Sequence, residues 1–209
     1  MRIAILGGTG SFGRALAARL VAIGGDEIVI GSRDAARARE AAAELGVAGA
    51  TNEDAVQGAD IAVLATKADG ALDTARAVAD ALGTTPLLSV ASDIRFAKGV
   101  GMLPDPDALS LAERVQAVVR APVVAGLHSI AAATLEEEAP DEDALVCGDD
   151  AAAKALAIEL AGKLVAGRAL DAGPLAGARA LEGLTAVIVN LNRRYKAHAG
   201  VRISGIETE

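Results

Sequence analysis

Ile3-Ala4-Ile5-Leu6-Gly7-Gly8-Thr9-Gly10-Ser11-Phe12-Gly13 is the stretch on which the reading of this chain turns. Four apolar residues run into a glycine-rich turn, and the turn runs into Ala- and Leu-rich sequence with helical spacing. Gly8, Gly10 and Gly13 match G-x-G-x-x-G, a pattern that carries weight only where a strand precedes it and a helix follows. Each glycine has its own task. The first allows the tight turn, the second lets backbone amides approach a pyrophosphate, and the third lets the helix pack on the strand. The positive end of the helix dipole then faces the phosphates. The stretch therefore predicts the opening of a fold that binds a dinucleotide.

Outward from it, short apolar runs recur at Ile28-Val29-Ile30, Ile61-Ala62-Val63-Leu64, Leu87-Leu88-Ser89-Val90 and Val123-Val124-Ala125-Gly126-Leu127. They lack polar alternation, as strands covered on both faces of a parallel sheet do. Ala-rich segments with helical spacing lie between them at 11–23, 35–45 and 70–82. Strand, helix, strand, helix is the pattern of an α/β, Rossmann-type, doubly wound and mainly parallel sheet. Further strands are expected at 144–147 and 168–171, with a helix at 150–164 between them. A last helix over about 177–196 shows Leu181, Leu184, Ile188 and Leu191 as one apolar stripe. The expected division is an NADP-binding domain with extra strands over 1–173, and a small C-terminal helical part with a tail over 174–209 that closes the cleft. Segment 91–108 carries Gly99, Gly101, Pro104 and Pro106 and reads as an irregular loop.

The end of the second strand selects the cofactor. A chain that binds NAD usually places Asp or Glu there to hold the ribose 2′-hydroxyl. Here the residues are Gly31-Ser32-Arg33, with no carboxylate before Asp34. A hydroxyl and a guanidinium suit a 2′-phosphate, because Arg offers bidentate, charge-assisted hydrogen bonds. NADP(H) is the expected cofactor. Arg37, a helical turn later, either adds a second positive charge or sits solvated on its helix. Thr9, Ser11 and Phe12 complete the phosphate turn, and Ala65 and Thr66 end the strand beneath the nicotinamide ribose. Lys67 faces either the cofactor or solvent.

Ligands in an open α/β sheet bind beyond the carboxyl ends of the strands. The segments just after strands are therefore the second-substrate candidates: 89–93, His128-Ser129-Ile130 and Gly173-Pro174-Leu175, with His128 at the mouth of the expected cleft. His128 is one of two histidines; a hydrogen-bonded structural imidazole is the alternative reading.

Composition narrows the classes. The chain has 209 residues and a net charge of −8, with no basic stripe to displace the counterions of a nucleic acid or to meet an anionic membrane. Cys147 is the single cysteine, so neither an internal disulfide nor a cysteine metal site is expected. The acidic run Glu136-Glu137-Glu138 and Asp141-Glu142-Asp143 reads as a solvated face, so no metal is expected. No leader or apolar span stands out, and a cytoplasmic location is expected.

Gly-Gly-Thr-Gly at 7–10, Gly-Ser-Arg at 31–33, Val-Cys-Gly-Asp-Asp at 146–150, Asp-Ala-Gly-Pro-Leu at 171–175 and Asn-Arg-Arg-Tyr-Lys at 192–196 together resemble the NADPH-dependent F420 reductase family. The resemblance spans nearly the whole chain. It implies hydride transfer between NADP(H) and the 5-deazaflavin coenzyme F420, a homodimer, and catalysis by positioning two planar rings face to face. It also implies that Thr9, Ser32 and Arg33 hold NADP, that His128 and Ile130 lie on the deazaflavin side with His128 in a positioning role, and that Arg179 and Thr185 are further substrate-side residues. The chain departs from the family pattern at 66–69 and 89–94, where prolines and an aromatic residue are usual. Those departures keep open an NADPH-dependent reductase of another small acceptor (a flavin, a ferric chelate or an imine), or a non-catalytic NADP(H)-sensing module.

Overall fold

In the computed structural model, which describes residues 1–206, Arg2–Leu6 forms β1, Ser11–Ile23 forms α1 and Glu27–Ser32 forms β2. They are followed by α2 (Ala35–Leu45), β3 (Ala48–Thr51), α3 (Asn52–Ala55), β4 (Ile61–Leu64), α4 (Ala68–Leu82) and β5 (Leu87–Ser89). The chain goes on through β6 (Ile94–Ala97), β7 (Gly101–Pro104), α5 (Leu111–Gln116), β8 (Val123–Gly126) and α6 (Ala132–Glu137). It ends in β9 (Ala144–Gly148), α7 (Ala151–Leu164), β10 (Ala169–Asp171) and α8 (Ala178–Tyr195). The side chains of Glu136 and Glu137, part of the acidic run, lie outside what is described.

Eight strands make one sheet in the order β10-β9-β8-β5-β4-β1-β2-β3. From β3 to β8 every pairing is parallel, while β9 runs antiparallel to β8 and carries β10 parallel to itself. The expected α/β, doubly wound, mainly parallel sheet is what forms. Strand order reverses between β1 and β4, so the connections that leave their carboxyl ends part in opposite directions and open a crevice.

Alternation along the strands divides the core between two faces. Ile3, Ile5, Ile30 and Ile61 point to one side and pack with Leu16 and Leu20 of α1 and Leu160 and Leu164 of α7. Ala4, Leu6, Ala62 and Leu64 point to the other, against Val78 and Leu82 of α4 and Leu111 and Val115 of α5. Burying one such Leu or Ile contributes about 1.5–3 kcal/mol. The opposing residues are often alanines, which lets the helices lie close on the sheet.

Helix ends follow local chemistry. Asp34 caps α2 by accepting from the amides of Ala36 (2.8 Å) and Arg37 (3.3 Å), and Gly46 closes that helix in the left-handed region. Asp150 caps α7 through the Ala153 amide at 2.8 Å. Ser110 and Glu113 form a reciprocal capping box on α5.

Segment 91–108 is not the irregular loop that its glycines and prolines suggested. It contains the antiparallel β6–β7 hairpin, with Ile94 opposite Pro104 and Ala97 opposite Gly101. Asn190 of α8 holds it: its Oδ1 accepts from the Met102 amide and its Nδ2 donates to the Met102 carbonyl, both at 2.8 Å. The side chain thus stands in for a neighbouring strand. The Arg193 guanidinium also lies 5.1 Å from the Phe96 ring centre. No helix among the described residues is long and apolar enough to cross a membrane.

Candidate functional site

The turn between β1 and α1 is made of backbone in close approach. Gly7 holds φ +71°, and its amide donates to Asn52 Oδ1 at 3.2 Å. The Gly8 amide donates to the Gly31 carbonyl at 2.9 Å, which ties the turn to β2. A Cβ on Gly13 would stand 2.6 Å from the Gly8 Cα, so no larger residue fits while the helix keeps this seat. α1 starts at Gly10 with neither a side-chain cap nor an acid in its first turn. The first amides of the helix are therefore open to an external anion. That cradle fits a dinucleotide pyrophosphate.

The cradle floors a cleft of about 750 Å3 that reaches from Thr9, Ser11 and Phe12 to Ser32, Arg33 and Arg37 on one side and to Ala65, Thr66 and Lys67 on the other. Ser32 is buried and accepts the Asp34 amide at 3.2 Å, whereas Arg33 and Arg37 are exposed along the rim. Asp34 lines the same cleft, but its carboxylate is engaged in capping α2. The end of β2 thus offers a hydroxyl and two guanidiniums, a donor set that fits a 2′-phosphate.

A second cleft of about 420 Å3 lies between 66–69 and 91–94 and shares Thr66, Lys67 and Asp69 with the first. Three buried polar side chains at the ends of the neighbouring strands β4, β5 and β8 lack hydrogen-bond partners: Thr66 Oγ1, Ser89 Oγ and both ring nitrogens of His128. Such groups are rare in a protein interior, and here they gather at one end of the sheet. Burial pushes the His128 pKa down to about 4, with the Ala91 backbone opposing the shift. The imidazole is therefore neutral at pH 7.

The substrate-side residues named from sequence are placed unevenly. His128, Ser129 and Ile130 are each less than 10% exposed, and Ile130 packs into the apolar cluster on the α1 side of the sheet. Thr185 reaches them from α8: its hydroxyl donates to the His128 carbonyl at 2.8 Å and lies 2.7 Å from Ser92 Oγ. Ser92 lines the second cleft, so the Ser92–Thr185–His128 chain joins the loop after β5, helix α8 and the loop after β8. Arg179 stays exposed on a narrow crevice beside Asp93, Ser110 and Glu182, outside both larger clefts.

Sequence reasoning missed Asn52 and Glu182, whereas Ser92 lies in the segment 89–93 whose place after a strand end had marked it as a candidate. Glu182 is buried on α8 and accepts the amides of Leu111 (3.0 Å) and Ala112 (3.2 Å), which pins α5 to α8; burial pushes its pKa up. Asn52 directly follows Thr51, an N-cap residue, and nothing else in the chain marks it. The signal for Glu182 lies in partners tens of residues away.

A Rossmann sheet, a glycine cradle and a Ser–Arg pair at the end of β2 define an oxidoreductase of the NADP-dependent class. Residues 2–93 match the family described as NADP oxidoreductase coenzyme F420-dependent. The F420-dependent NADP reductase of Methanocaldococcus jannaschii is 35% identical over 99% of this chain and all of its own length. That of Methanothermobacter marburgensis is 36% identical over 99% of both. The crystal structure of a candidate F420-dependent NADP-reductase from Arthrobacter sp. FB24 superposes with a TM-score of 0.86 at 29% identity, over 98% of this chain and all of that one. The chain belongs to the F420-dependent NADP oxidoreductase family.

Proposed function

We propose that this protein moves a hydride between NADP(H), seated on the glycine cradle, and coenzyme F420, seated in the cleft between 66–69 and 91–94. The observation that carries the reading is the junction of the two clefts at Thr66 and Lys67, where two flat rings would meet face to face beyond the strand ends. The nicotinamide supplies or accepts the hydride at C4, and the deazaflavin exchanges it at C5. The work of the chain is positional. Gly8, Gly10 and Gly13 admit the pyrophosphate, with Thr9, Ser11 and Phe12 around it. Ser32, Arg33 and Arg37 hold the 2′-phosphate, and Ala65 and Thr66 bear on the nicotinamide ribose. His128, Ser129 and Ile130 form the wall on the deazaflavin side, held by Thr185, and Arg179 stands further out on α8. A neutral, buried His128 suits hydride transfer, because no side-chain proton has to move with the hydride.

Residues 1–173 act as the NADP-binding domain in this reading, and 174–209 as the segment closing the cleft. The exposed stripe Val187, Leu191 and Tyr195, repeating every four residues on α8, supports a homodimer. A cytoplasmic, nucleic-acid-independent enzyme fits the acidic surface. The test is an absorbance assay with NADPH and oxidised F420, with NADH and FMN in parallel. Bleaching of the deazaflavin band with NADPH alone is the expected result. Tight NADPH binding with no bleaching, or reduction of FMN instead, would overturn the assignment of the acceptor.

A further inference from the structure

A hydroxyl has one proton to donate, so the direction of each hydrogen bond along the Ser92–Thr185–His128 chain is settled. The His128 carbonyl can only accept, and the Thr185 hydroxyl, 2.8 Å away, commits its proton there. Thr185 Oγ1 then meets Ser92 Oγ at 2.7 Å with lone pairs alone, which makes the Ser92 hydroxyl the donor. Both protons are taken. Ser92 lines the second cleft and is partly exposed to it, so what it offers a ligand there is acceptor capacity only. Among the described residues no group donates to that oxygen.

The loop that carries this oxygen is anchored on both sides of it. Before Ser92, the Val90 amide donates to the Leu64 carbonyl at 3.4 Å and prolongs the β4–β5 pairing. After it, the Asp93 carbonyl accepts the Asp105 amide at 3.0 Å, and the Asp93 carboxylate is paired with the Arg114 guanidinium of α5. Asp107 stands 3.7 Å from the same guanidinium, so the charge of Asp93 is met within the protein. An acceptor on an anchored loop selects for a donor in the ligand. A ligand that brings a methyl group or a second acceptor to this place leaves the oxygen unpartnered and cut off from water.

We propose that Ser92 is a specificity-determining residue of the second cleft, accepting a hydrogen bond from a ring N–H of the substrate. The proposal rests on the reading above, in which a deazaflavin occupies the cleft between 66–69 and 91–94. The pyrimidinedione ring of a deazaflavin carries such a donor, the imide N3–H between its two carbonyls. Flavins carry it as well, whereas a ferric chelate has none. Ser92 thus selects hydride acceptors by class, as rings with an imide edge, and leaves the choice between a deazaflavin and a flavin to other contacts.

The test is a double-mutant cycle in which one of the two changes is made in the substrate. Wild type and Ser92→Ala are each assayed with NADPH against F420 and against F420 methylated at N3. The quantities read are KM and kcat for each deazaflavin and the Kd for NADPH. In wild type, methylation should raise KM about tenfold. Ser92→Ala should raise KM for F420 itself about tenfold, yet move KM for the methylated compound by less than about twofold, because the bond is already lost there. The NADPH Kd should stay within about twofold. A Ser92 that serves only to hold Thr185 would weaken both compounds equally on mutation. Equal losses, or a wild type indifferent to methylation, would therefore overturn the proposal while the functional reading stood. Wild type that leaves F420 unreduced would sink that reading, and this proposal with it.

Discussion

The two halves of the cleft are made in opposite ways. Around β1 and β2 the site is backbone: glycines in van der Waals contact, amides at a helix start and a hydrogen bond from the Gly8 amide to the Gly31 carbonyl of β2. Around β5 and β8 it is side chains that meet from far along the sequence, as Ser92, Thr185 and the His128 carbonyl do. A backbone site tolerates almost no change in shape, because nothing in it can rotate away. A side-chain site can lose one member and relax. Cofactor recognition should therefore fail abruptly on mutation, and acceptor recognition should degrade by steps.

Gly13→Val is the severest way to press that contrast. Its Cβ would meet the Gly8 backbone at 2.6 Å, and overpacking of this kind costs about 1–3 kcal/mol of stability even after relaxation. NADPH binding should disappear in a fluorescence titration, and a variant that still binds within threefold of wild type would break the comparison. Next comes His128→Gln. A base whose folded pKa lies below its unfolded value contributes its full stability above the unfolded value and loses it as pH falls towards the folded one. For His128 the window runs from 6.5 down to about 4, worth about 3 kcal/mol across its whole span. Glu142 and Glu182 act in the opposite sense, since burial raises both and their contribution declines as pH rises. Urea unfolding at pH 7 and pH 4.5 should therefore show a smaller acid loss in His128→Gln than in wild type; equal losses would mean the imidazole is hydrated.

Arg33→Ala should weaken NADPH by about 2 kcal/mol, roughly thirtyfold, the usual worth of a hydrogen bond to a charged group, and leave NADH within twofold. Calorimetric titration of both cofactors decides it, and equal losses would detach Arg33 from the 2′-phosphate. The smallest effect is expected from Thr185→Val, which frees the His128 carbonyl and Ser92. KM for F420 should rise about fivefold, near 1 kcal/mol, at unchanged NADPH affinity. A loss above a hundredfold would show that the acceptor side is as brittle as the cofactor side.

The same difference explains what could be read in advance. Glycine spacing and the apolar runs are local, so the sheet, most helices and the glycine turn after β1 were legible in the sequence. β3 was not, because Ala48-Gly49-Ala50-Thr51 is short and barely apolar; Gly49 is there to clear the Ala38 carbonyl, 2.4 Å from where its Cβ would stand. The β6–β7 hairpin was hidden for another reason: each strand has four residues, and the partner that steadies them, Asn190, lies 88 positions beyond Met102. Thr185 was named only through family resemblance. Its hydrogen bonds to Ser92 and His128, like those of Glu182 to α5, exist only once α8 has docked.

Asp34 carries one more implication. It lines the cleft beside Ser32 and Arg33, yet its carboxylate starts a helix, so the acid at that end of the cleft is already occupied. With the 2′-phosphate seated as proposed, preference for one dinucleotide over another would rest on Ser32 and Arg33, while the neighbouring codon maintains the scaffold. Descendants of this chain can drift in cofactor taste by exchanging those two residues, without having to reinvent the helix that follows.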